Sequence, residues 1–172
     1  EICEAPEGQQ FVVEEKATTP IAELFRLIRN NIQFALADNE KKVLLVTSSL
    51  SGEGKTFIAA NLALTFAVAG KKTVVVGLDI RRPKLAHMFG LDNRVGVTTF
   101  LSGQVDNLND IVQPSGINGN LSVIPGGPVP PNPNELLMCR RMDTFIERLR
   151  KEFDIVVIDS APVGIISDTY LL

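Results

Sequence analysis

Three short runs of this chain are almost wholly apolar, and that pattern leaves few folds open. They are Lys42-Val43-Leu44-Leu45-Val46-Thr47, Lys72-Thr73-Val74-Val75-Val76-Gly77-Leu78 and Phe153-Asp154-Ile155-Val156-Val157-Ile158-Asp159. A strand with no polar face must be covered on both sides, which is the situation inside a parallel sheet. Leu121-Ser122-Val123-Ile124 adds a shorter run of the same kind. Segments of helical periodicity separate these runs. The alternation predicts an α/β domain: a doubly wound, mainly parallel sheet with helices on both faces. Such sheets bind ligands beyond the carboxyl ends of their strands. Three polar landmarks fall at such ends: a Gly-rich loop after the first run, Asp79 after the second and Asp159 closing the third.

The remaining elements follow from period and punctuation. Thr19-Pro20 is a good helix start, with Thr as cap and Pro in the first position. Ile21, Leu24, Ile28, Ile32 and Ala35 then recur at helical spacing to about Leu36. A long apolar helix is predicted from Thr56 to Ala69, closed by Gly70. Shorter helical patterns lie around Leu85–Phe89, Thr98–Leu101 and Leu108–Val112. Pro125 to Pro133 holds too many prolines for regular structure. From Asn134 to about Phe153 one helix is predicted, with Met138, Met142, Phe145, Ile146, Leu149 and Phe153 on a single face. Residues 1–16 are acidic and aperiodic and read as a lead-in; residues 17–172 read as one domain.

Composition narrows the function classes. Apolar residues make up 45 % of the 172, enough for a sizeable core, and the net charge of −3 argues against a nucleic-acid surface driven by bulk charge. Cys3 and Cys139 give neither a disulfide framework nor a zinc set, and read as free thiols in a reducing compartment. A structural role is expected for His87, the one histidine. The longest apolar stretch, Phe57 to Gly70, is short for a membrane span and contains Asn61 and Thr65. The start at Glu1 and the clipped helix pattern at Ser167–Leu172 suggest a piece of a longer protein.

The Gly-rich loop, Ser48-Ser49-Leu50-Ser51-Gly52-Glu53-Gly54-Lys55-Thr56, joins a strand to a helix. Backbone N–H groups can wrap a triphosphate only where side chains leave room, and Gly52 and Gly54 supply it. The helix N-terminus adds partial positive charge. The expected nucleotide contacts are Ser51, Gly52, Glu53, Gly54, Lys55, Thr56 and Phe57, with Lys55 on the β- and γ-phosphates and the Thr56 hydroxyl on Mg²⁺. The loop is a P-loop in which Ser49 stands at the usual first glycine. Asp159 ends its strand as a Walker-B aspartate does, although a strand-end turn residue would look the same. Asp79 is a further candidate metal-positioning or catalytic acid, with a cap for the helix after Pro83 as its plainer reading.

At these residues the chain resembles the bacterial tyrosine kinases of capsule and exopolysaccharide synthesis. Four segments carry the resemblance: the Gly-Glu-Gly-Lys-Thr loop; Leu78-Asp79-Ile80-Arg81-Arg82-Pro83, similar to the family's Walker A′; Ile155 to Pro162, similar to its Walker B; and Glu23-x-x-Arg26-x-x-Arg29, similar to its ring-forming motif. Pro131-Asn132-Pro133-Asn134-Glu135-Leu136-Leu137 also matches. The resemblance implies ATP and Mg²⁺ as cofactors, and Lys55, Asp79 and Asp159 as the catalytic set. Thr56, Asp79 and Asp159 would hold the metal. It also implies self-association in a ring through Glu23, Arg26 and Arg29. A membrane-spanning polysaccharide chain-length regulator, fused or separate, is the implied partner. The implied location is the cytoplasmic side of the cell membrane. Without the resemblance, that charged stripe reads first as an ordinary solvated helix face with an internal Glu–Arg pair, and the resemblance reverses the preference.

The chain departs from the family pattern in three places. Gly77 stands where the first acid of D-x-D-x-R is usual, which favours a nucleotide-gated scaffold with little phosphotransfer as the alternative function. Tyr170 is the single tyrosine, so the usual C-terminal acceptor cluster is missing. The family's last strands and part of its adenine site are expected to be missing as well. A third reading, a switch like the septum-site and partition ATPases, is opposed by Leu50, which stands where those proteins carry an extra lysine. Arg81 and Arg82 are either phosphate or activator contacts or solvated surface.

Overall fold

The computed structural model describes residues 10–13, 18–35 and 42–162. Cys3, Tyr170 and the Ser167–Leu172 helix pattern lie outside these residues. Helix α1 runs Pro20–Ala35, strand β1 Lys42–Val46, helix α2 Lys55–Val68 and strand β2 Thr73–Gly77. Short helices α3 (Leu85–Phe89) and α4 (Val97–Leu101) follow, then a 3-10 turn at Leu108–Asp110. Strands β3 (Gln113–Pro114) and β4 (Leu121–Ile124), helices α5 (Pro133–Leu137) and α6 (Arg140–Glu152) and strand β5 (Ile155–Asp159) complete the order.

The sheet order is β1-β5-β2-β4-β3, parallel except for β3, which pairs antiparallel with β4. Side chains alternate across it as strand geometry requires. Val75, Val123, Ile155 and Val157 pack with α1 and α2 on one face. Val74, Val76, Ile124, Val156 and Ile158 pack with α4 and α6 on the other. The doubly wound sheet is thus present. At β1, the margin of the sheet among the described residues, Val43 and Leu45 stay 38 % and 40 % exposed, so one face of that apolar run lacks the cover its composition predicts.

Two elements differ from the sequence expectation. The single helix over 134–153 is two, broken at Met138–Cys139, where Cys139 is extended and Met138 is 66 % exposed. Leu137 and Met142 are both buried. Five residues apart, they would point about 140° apart on one continuous helix; the break lets both reach the same core. Pro133, expected in a loop, occupies the start of α5, where its missing N–H costs nothing. Strand β3 has no apolar signal and carries a proline, as an edge strand can.

Residues 10–13 of the lead-in are packed against the domain. Val12 and Val13 are 3 % and 1 % exposed. Asn61, fully buried on α2, accepts from Val12 N at 2.8 Å and donates to Gln10 O at 3.1 Å, so one amide pairs with this segment as a strand neighbour would. Phe11 meets Phe89 of α3 with ring centroids 4.8 Å apart. Asn61→Leu would leave the buried Val12 N–H unpaired and is expected to cost about 1–3 kcal/mol. Urea denaturation measures it; an unchanged midpoint would show that the strap contributes nothing.

Candidate functional site: the carboxyl edge of the sheet

The register brings the carboxyl ends of three strands level: Val46 of β1 and Gly77 of β2 each pair with Asp159 of β5. The P-loop leaves β1 there. Its root is tied to the chain after β5, with Ser160 N donating to Val46 O at 3.1 Å and the Thr47 hydroxyl to Ala161 O at 3.0 Å. Ser48 Oγ donates to Leu50 O at 2.8 Å, and Glu53 folds its carboxylate back to accept from Leu50 N at 2.9 Å. Gly52 and Gly54 adopt φ of +94° and +85°, left-handed conformations that explain glycine at both positions. Gly54 caps α2 with no side chain over it, so the first turn of this 14-residue helix faces the loop without a side-chain cap.

Four expected residues converge. Lys55 is buried, and its Nζ lies 3.0 Å from Asp79 Oδ2. Asp79 Oδ1 accepts from Arg82 N at 3.2 Å, a turn contact ahead of α3; it does not cap that helix, whose N-cap is Lys84 with no side-chain cap. The Leu78 and Asp79 N–H groups donate to Asp159 O, which locks the end of β2 onto β5. The Asp159 side chain is 2 % exposed, and its Oδ1 has no hydrogen-bond partner among the described residues. Burial pushes its carboxyl up to about 6, reinforced by the Asp79 carboxylate and opposed by a hydrogen bond to Thr56 and the charges of Lys55 and Lys84. A buried carboxylate oxygen without a donor, beside a hydroxyl and under an anion-binding loop, is the environment that a hydrated divalent cation would complete. Lys55, Thr56, Asp79 and Asp159 could hold such a cation and a phosphate chain.

Other residues fall elsewhere. Phe57 turns its ring toward Phe25 of α1, centroids 6.2 Å apart. Glu23 and Arg26 form an ion pair within α1, and Arg29 donates to Thr65 O of α2 at 3.4 Å and to Asn30. Arg81 hydrogen-bonds Asn134 of α5. At Gly77 a Cβ would lie 3.2 Å from Gly126 N and 3.4 Å from Leu85 Cβ, so a side chain there would need its neighbours to give by a few tenths of an ångström. Lys84 acts on the charge of Asp159, yet sequence reasoning missed it, because it carries no motif and only the path of the chain after Pro83 brings it near.

A parallel sheet, a P-loop opening α2 and a buried acid at the end of β5 define a P-loop NTPase. The family described as "ParA: NUBPL iron-transfer P-loop NTPase" matches residues 39–164. CapB of Staphylococcus aureus is 37 % identical over 156 residues, 91 % of this chain and 68 % of the relative. The tyrosine-protein kinase YwqD of Bacillus subtilis is 38 % identical over 88 % of this chain and 63 % of the relative. Among solved structures, the kinase domain of the Escherichia coli tyrosine kinase Etk superposes with a TM-score of 0.81 at 35 % identity, covering 86 % of this chain and 57 % of that one. The chain belongs to the bacterial tyrosine kinases of the capsule and exopolysaccharide type, and spans about two thirds of the length of CapB and YwqD. Among the described residues no helix is long and apolar enough to cross a membrane.

Proposed function

We propose that this domain binds Mg-ATP and transfers the γ-phosphoryl group to protein tyrosine. The supporting observation is the unpartnered Asp159 Oδ1, buried beside Thr56 at the mouth of the P-loop. In this reading Lys55 leaves Asp79 for the β- and γ-phosphates. The magnesium ion, held by Thr56 and Asp159 with Asp79 nearby, supplies charge neutralisation on the phosphates. The phenol oxygen attacks the γ-phosphorus, the bond from that phosphorus to the β,γ-bridging oxygen breaks, and ADP departs with the electron pair. Asp79, freed from its lysine, takes the phenolic proton. Such transfer depends on positioning and electrostatics more than on covalent chemistry. The test is mass spectrometry for phosphotyrosine on the full-length protein with Mg-ATP, with Lys55→Met as control. Nucleotide binding without tyrosine modification, even with a membrane activator segment supplied, would favour the scaffold reading that glycine in place of an acid at position 77 suggests.

The same reading places the domain at the inner face of the membrane with a membrane-spanning chain-length regulator, acting on capsule or exopolysaccharide synthesis and export. It also includes ring assembly through Glu23, Arg26 and Arg29. Supporting that surface, Leu27 and Phe34 lie seven residues apart on α1 and are 56 % and 87 % exposed. Arg26→Glu is expected to lower the sedimentation coefficient of the full-length assembly; a parent protein that sediments as a monomer at micromolar concentration rules the ring out.

A further inference from the structure

An open groove of about 710 Å³ is lined by Thr56 and Phe57 of α2 together with Pro83, Lys84, His87 and Met88 in and before α3. We propose that this groove seats the acceptor tyrosine, within a peptide segment that carries acidic residues beside it; the inference rests on the phosphotransfer reading above. Three observations point there.

The first is continuity. Thr56, which lines the groove, hydrogen-bonds to Asp159, and Lys84, also lining it, is close enough to act on the Asp159 charge. A hydroxyl entering along the groove therefore arrives at the phosphoryl-transfer site. The second is wall chemistry. Phe57, whose ring also packs toward Phe25, lines the groove with Pro83 and Met88, and these residue types are suited to a flat aromatic side chain. The third is charge. Among the described residues, the ionisable ones lining the groove are Lys84 and His87, with no carboxylate. That rim complements acidic neighbours of the tyrosine and accepts the dianionic product.

The strap fixes the geometry of this groove. Gln10 also lines it, and Phe11 packs on Phe89 at the end of α3. The wall bearing His87 and Met88 is thereby clamped to the helix that carries Lys55 and Thr56.

The test uses full-length protein and a fluorescein-labelled peptide with one tyrosine between glutamates. Peptide binding is read by anisotropy in Mg-ADP, ADP affinity by calorimetry and transfer by phosphopeptide yield. The variants are Met88→Asp and, because His87 is exposed and its replacement spares the core, His87→Asp. Each is expected to weaken peptide binding and raise the peptide KM by about tenfold, with ADP affinity held within about twofold. Unchanged peptide binding in both variants overturns the proposal, as does a parent protein that binds no peptide. A fall in ADP affinity in place of peptide affinity also overturns it and makes the groove a nucleotide-base site. Groove-dependent binding without transfer would sustain the groove and reject the kinase reading. Transfer that ignores both variants would do the reverse.

Discussion

Lys55→Met is expected to reduce tyrosine phosphorylation by roughly 10²–10³-fold or more, since it removes a preorganised cation from the developing phosphoryl charge. The stability effect is separable. Lys55 is buried and its ammonium faces Asp79 at 3.0 Å, so removing it leaves a carboxylate that is 12 % exposed without its cation. Losing one partner of a buried pair destabilises more than the pair itself contributes. The residual bond from Arg82 N and the position of Asp79 at the site rim moderate the loss, to about 1–3 kcal/mol. The double variant Lys55→Met/Asp79→Asn removes both charges and is expected to recover most of that stability while remaining inactive. Urea midpoints and phosphotyrosine yield for the three proteins check the argument. Activity returning together with stability would mean that Lys55 serves the fold and not the phosphates.

The layout of this edge was legible in the sequence because it sits on signals of short range. Apolar runs without a polar face mark strands between two layers, and polar residues that end such runs must lie at the sheet edge. Asp79 and Asp159 were found that way, Lys55 and Thr56 from the Gly-rich loop between a strand and a helix, and the structure brings the four together. What escaped depends on contacts distant in the chain. Asn61 looks like a blemish in an apolar helix until Gln10 and Val12, some 50 positions earlier, supply its partners. The groove needs α3 laid beside the start of α2, which nothing in Lys84-Leu85-Ala86-His87-Met88-Phe89 announces. The break at Cys139 follows from Leu137 and Met142 both needing the core, a demand invisible to a search for one apolar stripe. Gly77 was visible as a missing acid. That Leu85 and Gly126 crowd the position was not.

Asp159→Asn is expected to make the fold more stable at neutral pH while removing metal-dependent nucleotide binding. The carboxyl titrates near 3.8 when unfolded and is pushed up to about 6 in the native chain, chiefly by burial. Between those values the native state holds a proton that the unfolded state has lost. Stability therefore falls as pH rises from about 4 to about 6 and stays lowered above that. Two units correspond to no more than about 3 kcal/mol, and a gain of about 1–3 kcal/mol at pH 8 is the expected benefit of an uncharged amide of the same shape. At pH 4, where the parent is already neutral, the two proteins should unfold together. Function moves the other way, because the buried Oδ1 is then an amide oxygen or nitrogen that attracts a hydrated cation far less than a carboxylate does. Mg²⁺-dependent ADP affinity should drop, and in the parent it should weaken below about pH 6 as the carboxyl takes up its proton. Denaturation at pH 4 and 8, with calorimetry of ADP with and without magnesium, tests both halves. If Asp159→Asn is less stable than the parent at pH 8, the links from Asp159 to Thr56 and Lys55 outweigh its desolvation. The carboxylate would then be a structural element of the sheet edge. If stability rises as binding falls, the buried charge is a cost that the fold carries for the ligand.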